Sequence, residues 1–202
     1  MRNIVESVCF GLCVILLMVV SSQAQTTTNV APAATKPVPA TKKEVKAAIK
    51  RSKAATEALV ITCTEKNGLT NHEITRILFR HNEARLKSQV PEIKWDCTMA
   101  QMAQEWATRG VAEHRPDNYF GENLFVTTDS KAVPTTGVKR WINEHKHLVS
   151  GTTNCKPGKM CLHYTQVVAG VSLKLGCGIN RNATGKWKLL MVCNYDPNGN
   201  GY

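Results

Sequence analysis

No C-x-x-C pair, no H-E-x-x-H, no G-x-S-x-G and no internal repeat occurs in the 202 residues. The first absence argues against a zinc knuckle, the second against a zincin-type protease, and the third against the serine elbow of an α/β-hydrolase. Long apolar runs are missing too. The longest, Val8–Val20, is interrupted by Gly11 and falls short of the roughly 20 residues that cross a bilayer. Acid is also scarce, with 15 Asp and Glu against 26 Lys and Arg and a formal net charge of +11.

What is present at the N-terminus predicts export. Arg2 precedes the Val8–Val20 core, and Ser22-Gln23-Ala24 offers small residues for a cleavage after Ala24, which makes residues 1–24 a signal peptide. Cys9 and Cys13 leave with it. Cys63, Cys97, Cys155, Cys161, Cys177 and Cys193 remain, an even count that suits disulfides in an exported chain. Cys155 and Cys161 bracket the turn-rich Lys156-Pro157-Gly158-Lys159-Met160. Cys177 and Cys193 sit on two strand-like runs at similar distances from a turn, which leaves Cys63 with Cys97.

The excess charge is uneven. Residues 25–60 carry seven bases against two acids, and residues 61–202 carry eighteen against twelve. Such an extension reads as a solvated face, or as adhesion to an acidic glycan or an anionic membrane surface. No nucleic-acid-binding motif accompanies it. Residues 25–40 are Thr-, Ala- and Pro-rich and read as linker. Thr41 and Glu44 have capping-box spacing and open a lysine-rich helix with a small alanine-heavy apolar face, expected to be a loosely docked extension.

From residue 61 the chain is long enough for one domain. Thr70 and Glu73 repeat the box, and Ile74, Ile77, Leu78, His81 and Arg85 share one helical face, with His81 read as a buried hydrogen-bonding residue. After Pro91, the spacing of Met99, Met102, Ala103 and Trp106 predicts a second helix. His114 to Phe125 reads as a loop. A third helix is expected from a cap at Thr135 or Thr136, with Val138, Trp141, Ile142, His145, Leu148 and Val149 as its stripe and Glu144 at the border. The β-branched and aromatic run His163–Val168 reads as a strand. Val171 to Ile179 alternates as a half-buried strand, Asn180–Lys186 is a turn bearing the glycosylation sequon Asn182-Ala183-Thr184, and Trp187–Tyr195 reads as a central strand. Helices first and strands last predict an α+β domain.

Several motifs, in order, resemble one family. These are His81-Asn82-Glu83-Ala84-Arg85, Gly121-Glu122-Asn123-Leu124, Trp141 to Glu144, His163-Tyr164-Thr165-Gln166-Val167-Val168, Gly176-Cys177-Gly178 and Cys193-Asn194-Tyr195-Asp196-Pro197-Asn198-Gly199-Asn200. Together they resemble the CAP, or SCP, domain of cysteine-rich secretory proteins, insect venom allergens, plant pathogenesis-related class 1 proteins and secreted worm proteins. Lys156–Cys161 and the extra early cysteines are most similar to the venom-allergen-like, activation-associated proteins of worms.

The resemblance implies a three-layer α-β-α sandwich with an antiparallel sheet, a secreted and non-enzymatic protein, and a cavity of two histidines and two glutamates. Carried over, these are His114, Glu122, Glu144 and His163. Two imidazoles and two carboxylates suit zinc or another divalent cation with water, or a hydrogen-bonded cavity holding water alone. Tyr119, Phe120 and Phe125 resemble the family's sterol-associated loop, so a sterol or fatty acid is an expected ligand. An extracellular protein receptor is another expected partner, and a metal-assisted hydrolase is the enzymatic alternative. The chain departs from the family at Ala169-Gly170, where the pattern has tryptophan.

Overall fold

The computed structural model describes residues 41–200 except Asp117 and Thr184. The expected signal peptide, its cleavage site and the 25–40 linker lie outside the described residues.

Helices come first. Helix α1 (Lys42–Glu57) and α2 (Asn71–Lys87) both open on complete capping boxes, Thr41 with Glu44 and Thr70 with Glu73. Each satisfies two otherwise orphaned backbone donors, worth about 1 kcal/mol. Then follow β1 (Lys94–Trp95), α3 (Cys97–Thr108), β2 (Gly121–Thr127), α4 (Pro134–Asn143), a 3-10 turn (Glu144–His147), α5 (Leu162–Val167), β3 (Lys174–Asn180) and β4 (Leu189–Asp196). No described helix is long and apolar enough to cross a membrane.

The sheet runs β1-β3-β4-β2. It is mixed, not antiparallel as expected, because the two-residue β1 joins β3 in parallel while β3–β4 and β4–β2 are antiparallel. Its two faces carry different layers. Leu175, Cys177, Met191, Cys193 and Tyr195 face Ile77 and Leu78 of α2 and Val138 and Trp141 of α4. Val192, on the opposite parity, meets Ala103, Trp106 and Ala107 of α3. The α-β-α sandwich is therefore present. Each fully buried large apolar side chain contributes about 1.5–3 kcal/mol of hydrophobic stabilisation.

On the α3 face the contact is backbone against backbone. A Cβ at Gly176 would lie 2.0 Å from the Ala100 nitrogen, and one at Gly178 would lie 2.3 Å from Gln104 Cα. Only glycine fits there.

Among the described residues three disulfides form, Cys63–Cys97, Cys155–Cys161 and Cys177–Cys193. The last joins residues directly opposite in the β3–β4 register.

Local structure differs from the sequence reading in several places. His163–Val168 is not a strand: Leu162–Val167 is a short helix, whose β-branched run is overridden by long-range bonds described below. Gly121–Phe125 is not loop, because β2 pairs in full register with β4 from Gly121 onward. Helix α4 starts on Val133 with Pro134 in its first turn, not on a Thr135 or Thr136 cap, and ends at Asn143. Proline fits there because its missing N–H has no helical partner to lose. The Val171–Ile179 alternation becomes a strand only from Lys174. Leu175–Ile179 is buried on both faces because α3 covers its glycines. Helix α1 is not loosely docked: it lies against α2, burying Ser52 and Thr56, and Ser52 Oγ donates to Glu92 Oε1 at 2.7 Å.

Candidate functional site

The four carried-over residues form two pairs. His114, in the loop after α3, meets Glu122 of β2, with Nδ1 2.8 Å from Oε1. Glu122 Oε1 also accepts from the Arg115 amide at 3.1 Å, whereas its buried Oε2 has no partner within the protein. The hydrogen bond to Glu122 raises the His114 pKa above the ordinary imidazole value, against an opposing effect of burial. His163, at the second position of α5, meets Glu144 at the end of α4, with Nδ1 2.7 Å from Oε1. Glu144 Oε2 accepts from the Tyr164 amide at 3.3 Å, and the His163 ring stacks on Trp141 with centroids 6.1 Å apart.

The sheet register fixes the direction of Glu122. Glu122 is opposite Asn194, which is opposite Gly176, so Glu122 points to the α3 face. Its neighbour Asn123 points the other way, donating from Nδ2 to the His163 carbonyl at 3.0 Å and to the Tyr195 hydroxyl at 3.2 Å. Glu122 and Asn123 thus project to opposite faces of the edge strand β2. Among the described residues, no group of three or more His, Cys, Asp or Glu lies close enough together to hold a metal ion. Both carboxylates are engaged by an imidazole Nδ1, so in each neutral ring Nδ1–H donates to the carboxylate and Nε2 keeps its lone pair, free to accept a hydrogen bond or ligate a metal.

A buried relay stands behind the site. His81 is fully buried, with Nδ1 2.8 Å from the Ile77 carbonyl and Nε2 2.9 Å from the Tyr195 hydroxyl. A carbonyl only accepts, so Nδ1 carries the proton and Nε2 accepts from Tyr195. Burial holds His81 down to about 4, against the hydrogen bond to Ile77, and pushes the Tyr195 hydroxyl upward. The sequence reading of His81 as a buried, hydrogen-bonded group agrees with this geometry.

The sequence reading missed the residue that holds α5. Arg85 of α2 is completely buried and has only carbonyl partners. Nε donates to Pro91 at 2.7 Å, and Nη1 donates to Val167 at 3.0 Å and Ala169 at 2.9 Å. Nη2 donates to Ser172 at 2.7 Å. Burial lowers its pKa to about 10, so it stays charged at neutral pH. A guanidinium within an apolar helical stripe was the available signal. The C-terminal turn adds a second hold. Gln166 Oε1 accepts from the Gly199 amide at 3.1 Å, and Thr165 Oγ1 donates to Asn200 Oδ1 at 2.7 Å. Ala169 abuts Gly199, and a Cβ on that glycine would come within 2.0 Å of it. At position 169, where the family pattern has tryptophan, the small Ala169 side chain packs directly on Gly199.

The aromatic residues separate. Tyr119 is 89% exposed and Phe120 half-buried, but Phe125 is a core residue packed on Gly137 under the Arg140 guanidinium. Phe125 lines no exposed loop. Asn182 is exposed on the β3–β4 turn.

Comparison with known proteins then decides the family. The cysteine-rich secretory protein family, CAP, matches residues 78–195. The chain belongs to this family. This CAP chain is 34% identical over 209 positions to peptidase inhibitor 15-A of Danio rerio, covering 92% of this chain and 80% of that protein. It is 35% identical over 124 positions to a pathogenesis-related protein of PR-1 type from Sambucus nigra, covering 59% and 73%. Among solved structures, BmVAL-1 matches at 25% identity and a TM-score of 0.56, covering 70% of this chain and 84% of that one. NaASP2, determined with Zn2+, matches at 25% identity and 0.59, covering 69% and 86%. The venom-allergen-like resemblance of this CAP domain therefore extends to its fold.

Proposed function

We propose that the chain is a secreted, non-enzymatic binding protein. It presents the His114–Glu122 and His163–Glu144 pairs, with Tyr119 and Phe120 nearby in sequence, to an extracellular ligand. The expected ligand is a sterol or fatty acid, or a protein partner in host interaction, immune modulation or defence. The observation that carries this reading is that each carboxylate is spent on orienting a histidine, through bonds of 2.8 and 2.7 Å. The six cysteines from Cys63 to Cys193 are all disulfide-bonded, so none supplies a thiolate nucleophile. Zinc is a further candidate, since the similar NaASP2 was determined with Zn2+; the Nε2 atoms of His114 and His163 would hold it, and lipid or protein binding would not require it.

The test is a titration of the intact protein with cholesterol and with palmitate, beside a Tyr119→Ala/Phe120→Ala variant. Saturable binding that weakens about tenfold in the variant, some 1.4 kcal/mol, supports the lipid ligand. Absence of saturable binding in the parent removes it. The hydrolase alternative has one feature in its favour, the unpartnered buried Oε2 of Glu122. Zinc-dependent turnover that disappears in both His114→Ala and His163→Ala would displace the binding reading.

A further inference from the structure

Helix α1 lies outside the residues matched to the family and carries a charge pattern that works against its own stability. Lys42, Lys43, Lys46, Lys50 and Lys53 fall within about 100° of the helix circumference and span about 16 Å along it, at 3.6 residues per turn and 1.5 Å per residue. All five are exposed. Lys42–Lys46 and Lys46–Lys50 are like charges four residues apart, and Lys43–Lys46 and Lys50–Lys53 are three apart, spacings at which they repel. Lys42 and Lys43 occupy the first turn, the positive end of the helix dipole, and the last turn has no base at all.

Little on the helix offsets this. Glu44 is engaged in the cap, with Oε2 2.7 Å from the Thr41 amide. Among the described residues the one ion pair on α1 is Lys53–Glu57 at 3.7 Å. The buried residues of α1, Ser52 and Thr56, lie to one side of this stripe, about a third of the way round the helix. Ala47 and Ile49 flank the lysines, and with Lys43, Lys46, Lys50 and Lys53 they line a shallow open groove. Ile49 is half-buried, and the face has no aromatic anchor of the kind that inserts into a bilayer. A straight row of point charges on an apolar-poor face complements a linear polyanion.

We propose that this face of α1 docks a sulfated polysaccharide of the heparan type, independently of the histidine–glutamate pairs. The occupant follows from the chemistry: a secretory family meets sulfated glycans outside the cell, and ammonium groups bind sulfates as point charges without a planar fork.

The test compares the full chain with Lys43→Gln/Lys46→Gln/Lys50→Gln/Lys53→Gln by calorimetric titration with heparin at physiological salt. A control removes the same charge elsewhere, as Lys66→Gln/Lys131→Gln/Lys159→Gln/Lys188→Gln. An arginine version of the four stripe positions keeps the charge. Circular dichroism checks that α1 stays helical. The expected result is a Kd weakened about tenfold or more, with a shallower salt dependence, in the stripe variant alone. The arginine version should bind like the parent, and desulfated heparin should not bind. Equal loss in the surface control overturns the proposal. So does parent binding to vesicles of phosphatidylserine, or to single-stranded DNA, that is stronger than to heparin.

Discussion

Replacing Arg85 with methionine should destabilise the domain by about 3–4 kcal/mol. The guanidinium makes four bonds of 2.7 to 3.0 Å, all to carbonyls, and those to Val167 and Ser172 are fully buried. Methionine fills much of the volume but donates nothing. Two buried carbonyls then lose a charged donor, at about 1–3 kcal/mol each. The bonds to Pro91 and Ala169 are partly exposed, and water replaces them at smaller cost. Removing a buried charge returns several kcal/mol of desolvation, so the simple sum of four charge-assisted bonds would overshoot. In guanidinium chloride, with a slope of about 4 kcal/mol/M for a domain of this size, the midpoint should fall by about 0.8–1 M. Arg85→Lys keeps the charge but cannot span four carbonyls, and should lose at least half as much. Hydrogen exchange should accelerate first at residues 162–173, the segment Arg85 holds. A methionine variant within 1 kcal/mol of the parent, with unchanged exchange there, would refute the idea that one buried cation positions α5.

Four further outcomes follow from the geometry. His81 has a folded pKa near 4 against 6.5, so the unfolded state takes up a proton first. Stability should fall as pH drops from about 6.5 to 4, by about 3 kcal/mol, and His81→Gln should flatten that part of the pH profile. His114 is shifted the other way: the stability it contributes is present below 6.5 and lost as pH rises through its folded value. Glu122→Gln should return its NMR titration toward the ordinary imidazole range. Removing Cys63–Cys97, 34 residues apart, by a double alanine substitution should cost about 3–4 kcal/mol on chain entropy, read as a lower melting temperature. Expression through a secretory pathway should add an endoglycosidase-sensitive mass that Asn182→Gln abolishes.

Legibility in the sequence followed the range of the interactions. The two capping boxes, the α3 stripe and the Leu189–Asp196 strand depend on neighbours within a few residues, and all were readable. The Cys155–Cys161 bridge, 6 residues apart, was readable for the same reason, and Cys177–Cys193, 16 apart, from the matched placement of its cysteines on two strands about a turn. His163–Val168 was not, because its β-branched composition favours a strand while its conformation is set by Arg85 and Gly199, far away in sequence. Gly121–Phe125 has weak strand composition and becomes a strand only through β4. Family resemblance named His114, Glu122, Glu144 and His163 as one group and assigned no pairing among them. Which carboxylate meets which histidine depends on side-chain geometry and on the long-range register that places Glu122 opposite Asn194, neither of which local sequence carries.

The closeness of α3 to β3 bears on how such a chain can diverge. Where Gly176 and Gly178 meet the backbone of Ala100 and Gln104, the spacing of the two layers is set by atoms every amino acid possesses. Substitutions elsewhere along α3 then change what fills the remaining gaps without moving the helix. Two positions carry the constraint and the rest are released from it. Geometry can persist in relatives that share only a quarter of their residues with this chain, because the contact that sets it asks for two glycines and a helix backbone.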